Sequence, residues 1–205
     1  EEAPTLCAGH EHGPKRVALF RDFYYLCASI RHTPCSIFAK RKSDEMKERN
    51  TIIQTDGGAE ALATAPLIVS ASRATDIPAF YADWFFGRLE KGYVRRRNPF
   101  NGIDSYISFA NTHFIVFWSK NPAPLLPYLS FLKQRGIGCY IQYTLNDYEE
   151  DGLEPGVGPL NERIDTFRRF VDALGPGSVI WRFDPLILTD KLTPEKLMDK
   201  VCHIG

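Results

Sequence analysis

Apolar residues in this chain gather into short runs, and each run ends in a burst of polar residues. Residues 67–71 precede Ser72-Arg73-Ala74-Thr75-Asp76, and Tyr93-Val94 precedes Arg95-Arg96-Arg97-Asn98-Pro99. Residues 114–118 precede Ser119-Lys120-Asn121-Pro122, 139–143 precede Thr144-Leu145-Asn146, and 179–181 precede Arg182-Phe183-Asp184-Pro185. Short apolar runs bounded by turn residues read as buried strands, and apolar positions recurring near every third or fourth residue read as helices. Four of the five polar bursts lead into such a helical stretch.

The pattern predicts a first strand at 67–72 and a helix from about Pro78, with Phe80, Trp84, Phe85 and Leu89 on one stripe. Gly92 ends that helix as a left-handed stop. Strands at 93–100 and 105–110 flank Asn101-Gly102, a strong hairpin signal. A strand at 114–118 leads to a helix opened by Asn121-Pro122 and running to about Arg135. A strand at 139–145 comes next, then a helix at Leu160–Leu174 with Ile164, Phe167, Val171 and Leu174 inward. A strand at 179–183 precedes a last helix capped by Thr193-Pro194.

Strands alternating with helices imply a parallel sheet with right-handed crossovers. The expected fold class is α/β, an incomplete TIM-barrel-like (β/α) repeat with a β-hairpin insertion, because a closed barrel needs eight strands. An open doubly wound parallel sheet is the alternative. Either architecture puts a ligand beyond the carboxyl ends of the strands.

Residues 1–65 lack this regularity and read as a poorly defined N-terminal extension, with Gly-, Ala- and Thr-rich residues 54–64 as a linker and Met46 as a possible start. Residues 66–205 read as the N-terminal part of a barrel-like domain, truncated at its C-terminus. Hydrophobic content of 44% and aromatic content of 13% exclude wholesale disorder. Twenty-five basic and 25 acidic residues cancel, so no global charge draws the chain to nucleic acid or a membrane surface. Five widely spaced cysteines, Cys7, Cys27, Cys35, Cys139 and Cys202, fit a reduced, cytoplasmic setting better than a disulfide framework. Cys7, His10 and His12, or Cys27 and Cys35, match no zinc spacing, and no apolar run approaches the roughly 20 residues of a membrane span.

Strand alternation places Arg182 and Asp184 on one face, opposite Trp181 and Phe183. Gln142 and Thr144 stand likewise against Ile141 and Tyr143. Lys120 shares a face with Trp118 just past its strand, and Ser70 and Ser72 complete the first strand. Arg73, Arg97, Lys120 and Arg182 are candidate cations for a carboxylate or phosphate, held in a two-pronged way. Asp76, Lys120, Arg182 and Asp184 are the candidate catalytic residues, an aspartate orienting the ligand or moving a proton. Ser70, Ser72, Arg73, Arg97, Asn98, Asn121, Gln142 and Thr144 are the candidate ligand-binding residues.

Plainer roles stand beside these. Asp76 and Asn121 occupy helix-cap positions, and Asp76 can equally pair with Arg73. Arg182 with Asp184 can be a buried pair that fixes strand geometry. Asn98-Pro99 can simply end a strand, His113 reads as a boundary residue, and Cys139 as core packing. No glycine-rich phosphate loop, Ser-His-Asp order or metal-ligand helix motif is present.

Several motifs in fixed order resemble a bacterial family, number eighteen-forty-eight of the domains of unknown function. They are Ile68-Val69-Ser70-Ala71-Ser72-Arg73-Ala74-Thr75-Asp76-Ile77-Pro78, Gly92-Tyr93-Val94 with Arg97-Asn98-Pro99-Phe100, and Ile115-Val116-Phe117-Trp118-Ser119-Lys120-Asn121-Pro122-Ala123-Pro124. Val179-Ile180-Trp181-Arg182-Phe183-Asp184-Pro185 extends the match, so that it spans about 66–205. Ala74 departs from the pattern, where a second arginine is expected. Full-length members carry a C-terminal cysteine cluster similar to that of radical S-adenosylmethionine enzymes, which implies a related barrel with a bound iron–sulfur cluster and S-adenosylmethionine. In this chain Cys202 stands alone before Gly205, so the chain is expected to hold neither by itself.

The resemblance thus implies a fragment of an iron–sulfur barrel enzyme, inactive alone, and the candidate cations point to a small, anionic molecule as its ligand. A cluster-free enzyme or binding module for a phosphorylated small molecule is the alternative, as is an inactive truncated product. No membrane or nucleic-acid partner is expected.

Overall fold

The structure, a computed structural model, describes residues 50–71, 75–98 and 101–205. The sequence readings on Cys7, His10, His12, Cys27, Cys35 and Met46 lie outside the described residues.

Strands β1 (Asn50–Gln54) and β2 (Glu60–Thr64) form an antiparallel hairpin where the sequence reads as a linker. Strand β3 (Ile68–Ser70) leads through Asp76 to the short helix α1 (Ile77–Phe80) and then to α2 (Ala82–Lys91). The single predicted helix is thus broken at Tyr81, and the break rotates its stripe. Ala82, Phe85, Phe86 and Leu89 are buried, while Phe80 and Trp84 are exposed. Gly92 ends α2 with φ 84°, a backbone region that only glycine occupies freely. Strands β4 (Tyr93–Arg97) and β5 (Asp104–Ser108) make the predicted hairpin. The first sheet therefore runs β1-β2-β5-β4.

The second sheet continues with β6 (Phe114–Ser119), then a 3-10 helix (Ala123–Tyr128) and α3 (Leu129–Gln134). The sequence predicts one α-helix here, capped by Asn121. Pro124 and Pro127 lack the N–H groups an α-helix needs, and the cap residue is Pro122, with no side-chain cap bond. Strand β7 (Gly138–Thr144), helix α4 (Leu160–Leu174), strand β8 (Val179–Arg182) and helix α5 (Pro194–Ile204) complete the order. At Gly138 the backbone passes close to Phe114, where an added Cβ would stand 2.7 Å from the ring. Thr193 caps α5 by accepting from the Lys196 N–H.

All pairings in the second sheet are parallel, in the order β3-β6-β7-β8. The class is mixed α/β with a parallel sheet, as expected. The sheet is open, however, and no closed barrel forms among the described strands.

One face of this sheet carries the core. Ile115, Phe117, Cys139, Ile141 and Tyr143 pack there against Phe85, Phe86 and Leu89 of α2, Leu125 and Leu132, and Phe170 of α4. Phe86 stacks on Tyr128 at 4.1 Å and meets Phe131 edge-on, while Phe85 meets Phe117 edge-on at 5.8 Å. Such aromatic pairs add to the area they bury. The opposite face is far barer: Ile68 is 62% exposed, Trp118 43% and Ile180 45%. No helix among the described residues is long and apolar enough to cross a membrane.

The buried face carries two ionisable groups with no ionic partner. Burial pushes the Cys139 thiol up to about 11 from its ordinary 9.0. Burial also pushes the Tyr143 phenol up to about 12 from 10.0, with Arg163 pulling the other way. Both groups stay neutral in the folded chain after they would ionise in the unfolded one. Their stabilising contribution is therefore intact below about pH 9 and is lost as pH rises through 11 and 12. Urea unfolding is predicted to show stability falling by a few kcal/mol between pH 8.5 and pH 11.5, using ~1.4 kcal/mol per pKa unit. The Tyr143 hydroxyl has no hydrogen-bond partner, so Tyr143→Phe is expected to be at least as stable as the parent at pH 7, by up to about 1 kcal/mol. It is also expected to flatten the decline above pH 10.

Candidate functional site

Strands β6, β7 and β8 end side by side, with Ser119 level with Tyr143 and Thr144 level with Arg182. The pleat that buries Phe117, Ile141 and Tyr143 turns Trp118, Gln142, Thr144 and Arg182 to the barer face. There the polar side chains tie into a closed ring. The Trp118 indole N–H donates to Thr144 Oγ1 at 3.0 Å, and the Thr144 hydroxyl donates to Asp184 Oδ1 at 3.3 Å. Arg182 donates to Asp184 Oδ2 at 2.7 Å and to Gln142 Oε1 at 2.6 Å, and its guanidinium lies 4.3 Å from the Trp118 ring centroid. The guanidinium is thus fixed by two hydrogen bonds and a cation–π contact.

The chain beyond the strands is tied as well. Asn146 Nδ2 donates to the Asp184 carbonyl at 2.9 Å, and the Trp181 indole N–H to the Leu145 carbonyl at 2.9 Å. A second carboxylate approaches from α1. Asp76 Oδ1 accepts from the Ala79 N–H at 3.1 Å, and Oδ2 accepts from the Ser119 hydroxyl at 2.9 Å. Ser119 Oγ in turn accepts from the Asn121 N–H at 2.9 Å. One aspartate therefore caps a helix and fastens it to the end of β6.

These groups surround a cavity of about 520 Å³, lined by Asp76, Trp118, Ser119, Lys120, Thr144, Asp184 and Pro185. Lys120 bonds the carboxylate of Glu154, which comes from the loop between β7 and α4. Burial lowers the pKa of the Lys120 ammonium; the Asp184 carboxylate opposes this and the Arg163 guanidinium adds to it.

Of the residues singled out in the sequence, Asp76, Lys120, Thr144 and Asp184 line this cavity. Arg182 and Gln142 adjoin it through their bonds to Asp184 and to each other. The Arg182–Asp184 pair is partly exposed rather than buried. Ser70 sits beside Val116 on the same sheet, exposed, and does not line the cavity. Asn121 contributes its backbone N–H, and its side chain is exposed.

Arg97 and Asn98 belong to the other sheet and its hairpin and do not line the cavity. The Arg97 guanidinium lies over Gly102, and the Asn98 backbone bonds Ile103 and Gly102. Ser72 and Arg73 lie outside the described residues. Trp118, Ser119, Asn146 and Glu154 were not among the sequence candidates. Alternation would have found Trp118, which shares the face of Gln142. Glu154 sits in an aperiodic loop that gives no such signal.

Comparison with curated proteins found no match. A family model described as domain of unknown function (DUF1848) matches residues 68–205. That span holds all strands of the parallel sheet and all residues lining the cavity, and on this match the chain belongs to the DUF1848 family.

Proposed function

We propose that residues 68–205 form part of a barrel-type enzyme that binds a small acidic molecule at the carboxyl ends of β6, β7 and β8. The observation that carries this reading is the convergence of Asp76, Lys120, Thr144 and Asp184, drawn from three strand ends and a helix cap, on one cavity. The winding supports it. Strand order in the parallel sheet follows the chain, and the helices cover one face, whereas a doubly wound sheet reverses direction and is covered on both.

Lys120 is the residue assigned to the ligand's carboxylate or phosphate, because an ammonium on a flexible stem can exchange partners. Arg182 is a positioning residue: it holds the Asp184 carboxylate toward the cavity. Asp184 orients the ligand or accepts a proton from it, and Asp76 stands where it can do the same.

The iron–sulfur cluster implied by the family resemblance, on which S-adenosylmethionine would depend, needs several thiolates close together. Among the described residues Cys139 is buried in the core, Cys202 is exposed on α5, and no group of three His, Cys, Asp or Glu side chains is placed to hold a metal. The described residues do not fit the cluster, and the steps proposed use this chain's own side chains. The second reading, a cluster-free enzyme or binding module for a phosphorylated small molecule, rests on the same cavity, where the Lys120 ammonium can pair with a phosphate.

Calorimetric titration of the full chain with malonate and with inorganic phosphate tests the assignment. Lys120→Met is expected to weaken binding about tenfold to a hundredfold, the worth of one charged hydrogen bond. Affinity is expected to hold near neutral pH and to fall as pH rises through the lowered Lys120 pKa, earlier than for an ordinary lysine at 10.5. Unchanged affinity in Lys120→Met would overturn the reading.

A further inference from the structure

The connection between β7 and α4 is fastened near both its ends. At the start, the Tyr148 hydroxyl donates to the Pro185 carbonyl at 2.7 Å, and Asp151 pairs with Lys200 at 3.1 Å. At the end, Arg163 Nε donates to the Gly158 carbonyl at 2.8 Å. Between these anchors Glu154 reaches across to Lys120.

To do so its backbone adopts φ 59°, the one positive φ at a non-glycine position among the described residues. An L-residue in that region is strained by about 1 kcal/mol or more. Gly152 and Gly156 flank it, and nothing lies within 4 Å of where either would carry a side chain. Leu153 donates its N–H to the Tyr148 carbonyl at 3.3 Å and packs with Tyr148, Leu192 and Leu197, so the part able to turn without disturbing the anchors runs from Glu154 to Gly156.

The group delivered by this arrangement is a carboxylate, and it is delivered to the ammonium assigned above to an acidic ligand. We infer that Glu154 is a built-in occupant of the acid-binding position, displaced when a ligand's carboxylate or phosphate pairs with Lys120. This rests on the reading of Lys120 given under the proposed function. An ion pair inside the chain then sets the threshold for entry. A neutral molecule cannot displace Glu154, and an acid does so by exchanging one carboxylate or phosphate for another. Departure of Glu154 also releases the strained φ, which favours the open loop once a ligand is seated.

The same calorimetric titrations, run on the full chain as parent, Glu154→Gln, Glu150→Gln and the double variant Glu154→Gln with Lys120→Met, test the inference. If the parent loop is closed about nine-tenths of the time, Glu154→Gln binds the preferred probe about tenfold tighter than the parent. Glu150→Gln removes the same charge from an exposed position in the same loop and is expected to change affinity less than about twofold, being screened. The double variant is expected to lose the gain. Hydrogen exchange of residues 154–157 is expected to quicken in Glu154→Gln, and in the parent when saturated with the probe. Comparison of malonate with phosphate tells which acid the position takes.

Equal affinity of parent and Glu154→Gln overturns the inference, while Lys120→Met alone still decides the assignment of Lys120. Binding of neither probe by any of these proteins overturns both.

Discussion

The parallel sheet carries its apolar core on one face, and the placement of Trp118, Gln142, Thr144 and Arg182 follows from that constraint. Residues 115 and 117 of β6, and 139, 141 and 143 of β7, enter an aromatic layer built by α2, the 3-10 helix, α3 and α4. Because side chains alternate strictly along a strand, Trp118, Gln142 and Thr144 then have no choice but the opposite face. A slip of one residue in the register of β7 would drive Gln142 and Thr144 into the layer occupied by Phe85, Phe117 and Phe170 and expel Ile141 and Tyr143. The apolar layer therefore sets the geometry of the polar face without touching it. The Trp118–Thr144–Asp184–Arg182 ring adds local rigidity between strands that the core has already aligned.

Where periodicity carries the information, sequence and structure agree closely. The strands of the parallel sheet, the Asn101-Gly102 hairpin and the full extent of α4 follow from alternation, turn chemistry and the apolar repeat. The β1–β2 hairpin is faint in the sequence because Ile52 and Leu62 pair across the strands on the exposed face, while the inward face carries the small residues Thr51, Ala61 and Ala63 beside Ile53. The break at Tyr81 was hidden because Phe80 and Trp84 are as apolar as the residues that are in fact buried. Only the turn of the backbone after α1 decides which of them face the core.

The candidate site divides along the same line. Arg182, Asp184, Gln142 and Thr144 lie on strands or just past them, so their shared face could be read from position. Asp76 was legible as a helix cap, and its bond to Ser119 was not, since that contact depends on where α1 lies against β6. Arg97 and Asn98 were drawn in by their polar run after an apolar one. That pattern is the same at the edge of the first sheet as at the mouth of the second, and sequence alone does not separate the two sheets.

Charge balance at the cavity distinguishes its two cations. Arg182 is held on three sides, by Gln142, Asp184 and the Trp118 ring. Removing it from Asp184 would break a planar, directed contact and leave the carboxylate without its main cation. Lys120 is held through a point contact with a carboxylate on a loop, and an ammonium has no preferred plane. For the acidic ligand we propose, Arg182 would be costly to recruit and Lys120 cheap. The same difference explains why two ion pairs in one cavity need not compete. The Arg182 pair keeps Asp184 in place, while in the proposed reading the Lys120 pair would be the one exchanged. Partial exposure of both pairs keeps their net worth modest, so in the proposed exchange the charge of the incoming acid would replace that of Glu154 at little net cost, and loop geometry would tune the balance.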